Sequence, residues 1–189
     1  MKNSAYTYDY FLDAFAKAKI TAVELTESVS PDDFNRKPSE KKWSMGEILS
    51  HLVQAGNEYL TQINKGLNKP DEKLAKGDAP FTPNLAFRWF ISQLSPENKR
   101  KLPTVPSFEP IASTQIVQEN VLADFLKLQD ELIHIIKRAK LEGLDLDRIK
   151  TWNPVVKIVP MSLTACFGIT ETHQRRHFEQ MKVLINSFQ

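Results

Sequence analysis

The chain has 189 residues, a length suited to one domain with a sizeable core, and its 25 Lys and Arg against 23 Asp and Glu leave a formal charge of only +2. That balance, with no run of five like charges, excludes a protein built around a phosphate backbone and gives no sign of a basic arm or acidic tail. One cysteine, Cys166, excludes an internal disulfide, residues 1–13 lack the apolar core of a signal peptide, and no stretch approaches about 18 consecutive apolar residues. The expectation is a soluble cytoplasmic domain over residues 1–189, with neither nucleic acid nor membrane as a partner.

The first periodic segment covers residues 8–29. Phe11, Phe15, Ala18, Ala22, Leu25 and Val29 recur at alternating steps of four and three, which lays one apolar stripe along a helix. Ser30-Pro31-Asp32-Asp33 reads as a helix stop followed by a short turn or a helical restart, and residues 35–42 form a polar connector. A second helix starts at Ser44, because Ser44-Met45-Gly46-Glu47 has the form of a capping box. Its stripe is Ile48, Leu52, Ala55, Tyr59 and Ile63, and Gly66 or Asn68 ends it.

From residue 68 to residue 113 the periodicity fails. Seven of the eleven prolines fall there: Pro70, Pro80, Pro83, Pro96, Pro103, Pro106 and Pro110. A structureless connection of that length is improbable in a compact fold, and the apolar run Leu85 to Ile91 predicts a short helix over residues 83–94. The segment reads either as a crossover strapped over a bundle or as a functional lid. The third long helix covers residues 113–142 and ends near Gly143, with Val121, Phe125, Leu128, Leu132, Ile135 and Ala139 as its stripe.

After the connector Trp152-Asn153-Pro154, residues 155–159 suggest a short extended piece. The fourth helix follows Pro160, is capped by Ser162 and runs to about residue 187. Its stripe is Leu163, Cys166, Thr170, His173, His177, Met181, Leu184 and Phe188. Four amphipathic helices joined by one long connection predict an all-α protein, a four-helix bundle with a long crossover.

His173 and His177 lie four residues apart on one helical face, inside the apolar stripe. Two inward imidazoles bring ring nitrogens that need partners into a poorly hydrated core, and a divalent metal satisfies both. Two boundary histidines with ordinary hydrogen bonds are the alternative. His51, on the edge of the second helix's stripe, can approach the pair across the bundle, and three histidines with positions left open are the arrangement of a catalytic metal site. His134 lies on a polar edge near Asp130 and Arg138 and reads as solvated.

Gln180 shares the face of His173 and His177, where it can hydrogen-bond a ligand or simply sit at the helix boundary. Glu58 lies two turns beyond His51, about 10 Å along the same face, too far to share one ion; it can act on substrate or stay in solvent. Glu47 is accounted for by the cap, Trp43 by anchoring the connector, and Cys166 by core packing. No residue pattern designates a catalytic group. No Gly-rich phosphate loop, nucleophile elbow or paired Cys-x-x-Cys is present.

The segment Lys42-Trp43-Ser44-Met45-Gly46-Glu47-Ile48-Leu49-Ser50-His51-Leu52 and the ending His173-Gln174-Arg175-Arg176-His177-Phe178-Glu179-Gln180 together resemble the DinB-like family of bacterial proteins. The resemblance implies a four-helix bundle with a long crossover and a metal-binding triad whose ligand positions match His51, His173 and His177. It further implies nickel or zinc as the cofactor, a homodimer, and a small-molecule substrate used with a low-molecular-weight thiol, since relatives include thiol-dependent S-transferases and a mycothiol-dependent isomerase. The sequence departs from common versions at Arg176, where a further histidine often stands, and at Phe178, where arginine is frequent.

Two classes of function follow. In the first, the chain is a metal-dependent hydrolase or thiol S-transferase. In the second, it is a non-enzymatic stress-related or binding protein whose histidine site is structural; the lack of an evident general base favours this one.

Overall fold

The computed structural model describes residues 5–69, 73–98, 100 and 103–188. Six α-helices appear among them: α1 (Tyr8–Glu27), α2 (Pro31–Asn35), α3 (Met45–Leu67), α4 (Leu85–Leu94), α5 (Gln118–Glu142) and α6 (Leu163–Phe188). Two short strands, β1 (Lys150–Trp152) and β2 (Pro160–Ser162), pair antiparallel with Thr151 opposite Met161. The four long helices α1, α3, α5 and α6 form the predicted bundle.

Local chemistry sets the helix starts. Thr7 Oγ1 accepts from the Tyr10 amide at 3.0 Å to begin α1, and Ser30 with Pro31 at the first position restarts the chain as α2, the helical one of the two expected outcomes. Ser44 and Glu47 close the full capping box of α3. Ser162 Oγ accepts from the Ala165 amide at 3.2 Å, so the last residue of β2 also caps α6. Gly143 ends α5 in the left-handed region (φ 60°), where its amide reaches the carbonyls of Ala139 and Lys140.

Three boundaries differ from expectation. Helix α1 stops at Glu27, so Val29 packs from beyond the helix end. Helix α5 starts at Gln118 rather than at residue 113, because Ser113–Gln115 form a 3-10 turn and the chain is extended at Ile116 and Val117. Residues 155–159 are the turn of the β-hairpin and not an extended piece. Asn153 Oδ1 accepts from the amides of Val155 (2.9 Å) and Val156 (2.8 Å), and this side-chain turn bends the chain there.

Helix α1 packs against α5 and α6, and α3 packs against the same two, so the order around the bundle is α1, α5, α3, α6. Ion pairs Lys19–Asp130 and Asp9–Lys140 set α1 and α5 antiparallel. Gly46 lies beside Ile116 and Gly56 beside Leu128, so α3 and α5 run parallel. A parallel pair cannot be joined by a tight turn. The chain must return along the whole 23-residue length of α3, about 34 Å, and this is the physical reason for the long crossover.

The crossover is pinned along its course. Lys76 and Phe81 make bridges to Leu144 and Tyr6, α4 packs on α6, and residues 103–117 return over the start of α3. Pro70, the first of its seven prolines, lies outside the described residues.

Two apolar clusters fill the interior. One gathers Phe11, Phe15, Phe81, Phe167 and Ile136; the other gathers Phe34, Met45, Leu49, Phe125, Phe178 and Met181. On α6 the two histidines fall between Phe167 and Phe178, where one cluster gives way to the other. Among the described residues no helix is long and apolar enough to cross a membrane.

Candidate metal centre

His51 comes from the second turn of α3, and His173 and His177 from consecutive turns of α6. Antiparallel packing of the two helices brings the three rings together. His173 Nε2 lies 3.1 Å from His51 Nε2 and 3.0 Å from His177 Nε2, and the three nitrogens all fall within 4.8 Å of one another. His51 and His177 are buried, and His173 is half-buried.

The surrounding groups orient the rings. His51 Nδ1 lies 2.5 Å from the Phe108 carbonyl. A carbonyl only accepts, so Nδ1 carries the proton and the Nε2 lone pair points into the cluster. The Trp43 ring lies 4.8 Å from that of His51 and 6.2 Å from that of His177, forming one wall. The Phe108 ring lies 6.4 Å from His51, edge-on.

Electrostatics keep the rings neutral. Burial lowers the His51 pKa, partly offset by the Phe108 hydrogen bond. Desolvation, then repulsion from His51 and Arg176, pushes His173 down to about 3. His177 is held well below the usual imidazole range by burial, then by His173 and His51. Gln180 acts on His177 in the opposite sense, yet His177 Nδ1 is buried with no hydrogen-bond partner of good geometry among the described residues. Neutral imidazoles are the form that ligates metal.

The arrangement fits a metal ion. Nitrogens about 2.0–2.1 Å from a common ion stand about 2.9 Å apart at right angles and about 3.3 Å apart in a tetrahedron. The two separations from His173, 3.0 and 3.1 Å, fall in that interval, and all three nitrogens lie within 4.8 Å of one another. Without an ion, one Nε2–H of His173 can donate to only one of its two neighbours at a time, whereas a cation is shared by all three lone pairs.

The other sequence-derived candidates separate. Gln180 is solvent-exposed beside His177, and Glu58 is exposed and outside the cluster. His134 is exposed on α5, away from the triad. Glu47 is buried and engaged by Lys37 Nζ (3.1 Å), the Ser44 amide (3.0 Å) and the Ser113 amide (3.3 Å). Among the described residues, no carboxylate appears with the groups that shift the three histidines.

Three features escaped the sequence. The Phe108 carbonyl is a backbone group on a loop, and no side-chain pattern announces it. Arg176, standing where the resemblance called for a histidine, donates from Nη1 to the carbonyls of Asn98 (2.7 Å), Ser95 (3.2 Å) and Gln93 (3.3 Å) and from Nη2 to that of Arg100 (2.5 Å). It fastens the end of α4 to α6 instead of joining the cluster. Gln174 is buried with neither amide atom paired; its place four residues after Thr170 and four before Phe178 was the available signal.

The profile of the DinB superfamily matches residues 14–181. Among solved structures, YfiT from Bacillus subtilis, described as a probable metal-dependent hydrolase with an unusual four-helix bundle topology, superposes with a TM-score of 0.62 at 11% identity, covering 96% of this chain and 87% of its own. A search of curated proteins finds no match.

Proposed function

The chain belongs to the DinB superfamily, and on that premise we propose that it is a metal-dependent enzyme acting on a small molecule, either a hydrolase or a thiol S-transferase, with His51, His173 and His177 as the ligands. The observation that carries this reading is the meeting of three neutral imidazoles, with His173 Nε2 3.1 and 3.0 Å from the Nε2 atoms of His51 and His177. The description of YfiT as a probable metal-dependent hydrolase puts hydrolysis first.

When bound, a divalent ion supplies Lewis acidity, polarising a substrate oxygen or sulfur and lowering the pKa of a water or thiol that reaches it. The chain's own residues do the rest. His51 is held in one tautomer by Phe108, and Trp43 excludes water from one side. An all-imidazole donor set suits several metals, of which nickel and zinc are the first choices. The same reading includes a homodimer and, for transfer chemistry, a low-molecular-weight thiol as co-substrate.

The non-enzymatic alternative is favoured by one observation, that no carboxylate among the described residues acts on the triad. Reconstitution followed by elemental analysis tests the metal, with about one divalent ion per chain expected. No bound metal on a folded chain overturns the proposal. If metal binds and its removal lowers the melting temperature while hydrolysis and thiol transfer stay undetectable, the structural role stands instead.

A further inference from the structure

The returning limb of the crossover makes a regular series of bonds to the start of α3. Pro106–Phe108 form a 3-10 turn with Pro106 at its first position, and the turn's last carbonyl, that of Phe108, meets His51 Nδ1 at 2.5 Å. Three residues on, the Ile111 amide donates to Ser50 Oγ at 3.2 Å. Two further on, the Ser113 amide donates to Glu47 Oε1 at 3.3 Å. The Ile116 carbonyl then accepts from Asn35 Nδ2 at 2.9 Å, closing the series on α2.

Three of these four contacts land on α3 side chains within one turn and a half, and Ser50 is the immediate neighbour of His51. Ser50 is buried and bonds the strand of backbone that carries the Phe108 carbonyl. Pro106 and Pro110 restrict φ on either side of that carbonyl, so fixing Ile111 fixes its position within a short, stiff span. The 3-10 turn itself is otherwise anchored by the half-buried Phe108 side chain on the first apolar cluster, and the Ser50 bond adds the backbone tether next to the carbonyl.

We propose that residues 105–116 are a clasp that sets the tautomer and orientation of His51, with Ser50 as a positioning residue that acts through the clasp. The inference rests on reading the triad as a metal centre for its consequence, but the clasp itself is testable in the metal-free chain.

The test compares the parent with Ser50→Ala, Ser50→Thr and the double variant Pro106→Gly/Pro110→Gly, using nitrogen-15 NMR of the histidine rings, amide exchange over residues 108–113, and zinc titration. The parent shows His51 as a single Nδ1–H tautomer. Ser50→Ala and the double glycine variant show averaged ring-nitrogen shifts, faster exchange and zinc affinity lower by about 10–100-fold, the usual effect of losing an outer-sphere partner of a ligand. Ser50→Thr, which keeps the hydroxyl, retains the parent behaviour.

An unchanged tautomer and unchanged exchange in Ser50→Ala overturn the proposal; if that variant does not fold, the double glycine variant decides by the same readouts. A parent that binds no zinc while its tautomer still responds to Ser50→Ala sinks the metal reading and leaves the clasp standing.

Discussion

Helix α6 carries two kinds of reactive side chain on one inward stripe, and they meet opposite fates. Cys166 is completely buried, beside Phe167, whose ring packs against Phe11 and Phe15. Burial raises its thiol well above the ordinary value near 9, and no cation or imidazole opposes the shift. Two turns on, His177 is buried and His173 half-buried, yet each has another ring nitrogen about 3 Å away. Burial is common to both places. What differs is convergence: three imidazoles from two helices, one of them oriented by a loop carbonyl, make a candidate metal centre, while a lone buried thiol makes core.

Metal binding breaks this comparison most sharply. His177→Ala removes one of three converging donors and is expected to abolish stoichiometric binding, a larger loss than the roughly 10–100-fold of an outer-sphere change. Cys166→Ala is expected to leave the stoichiometry at the parent level. Equilibrium dialysis with zinc or nickel measures both, and equal losses in the two variants would erase the distinction between site and core.

Alkaline pH sharpens it from the other side. Cys166 has a raised pKa in the folded state, so above about pH 8.5–9 the unfolded chain gives up a proton that the folded chain keeps, and stability falls as pH rises. The parent should therefore lose about 1.4 kcal/mol more per pH unit than Cys166→Ala over pH 9 to 10. Urea denaturation under reducing conditions checks this. The native thiol should also stay unreactive to alkylation across that range. Parallel stability profiles, or rapid alkylation without unfolding, would show that Cys166 is accessible after all.

How far these two places were legible in the sequence follows from the same physics. Periodicity found α1, α3, α5 and α6 because each buries one stripe, and the Ser44–Glu47 cap marked the start of α3 because capping is local. The His173 and His177 pair was legible because inward histidines are conspicuous on an apolar stripe, whereas His51, on the edge of its stripe, was joined to them by the family resemblance. The stripe of α6 was less faithfully read. Its first ten residues are buried all round under α4, the hairpin and the N-terminal segment, and Gln174 faces inward beside His177. The crossover defeated local reading altogether. Its role depends on Arg176 seizing four carbonyls and Phe108 offering one, and backbone carbonyls are identical at every residue.

The smallest expected effect concerns that local start of α3. Ser44→Ala removes the acceptor for the Glu47 amide, 3.1 Å away, and leaves only the other half of the reciprocal cap, the bond from the residue-44 amide to the Glu47 carboxylate. The cost is about 1 kcal/mol of global stability. It is not shared evenly along the molecule. Glu47, Ser50 and His51 lie within two turns of the cap, whereas Cys166 sits at the far end of the antiparallel partner helix. Fraying α3 should therefore accelerate amide exchange over residues 47–51 and leave residues 163–167 close to the parent, with zinc affinity weakened and the thiol still closed. Exchange that quickens equally in both segments would mean that the two regions open only together, and the contrast between site and core would then be chemical and not mechanical.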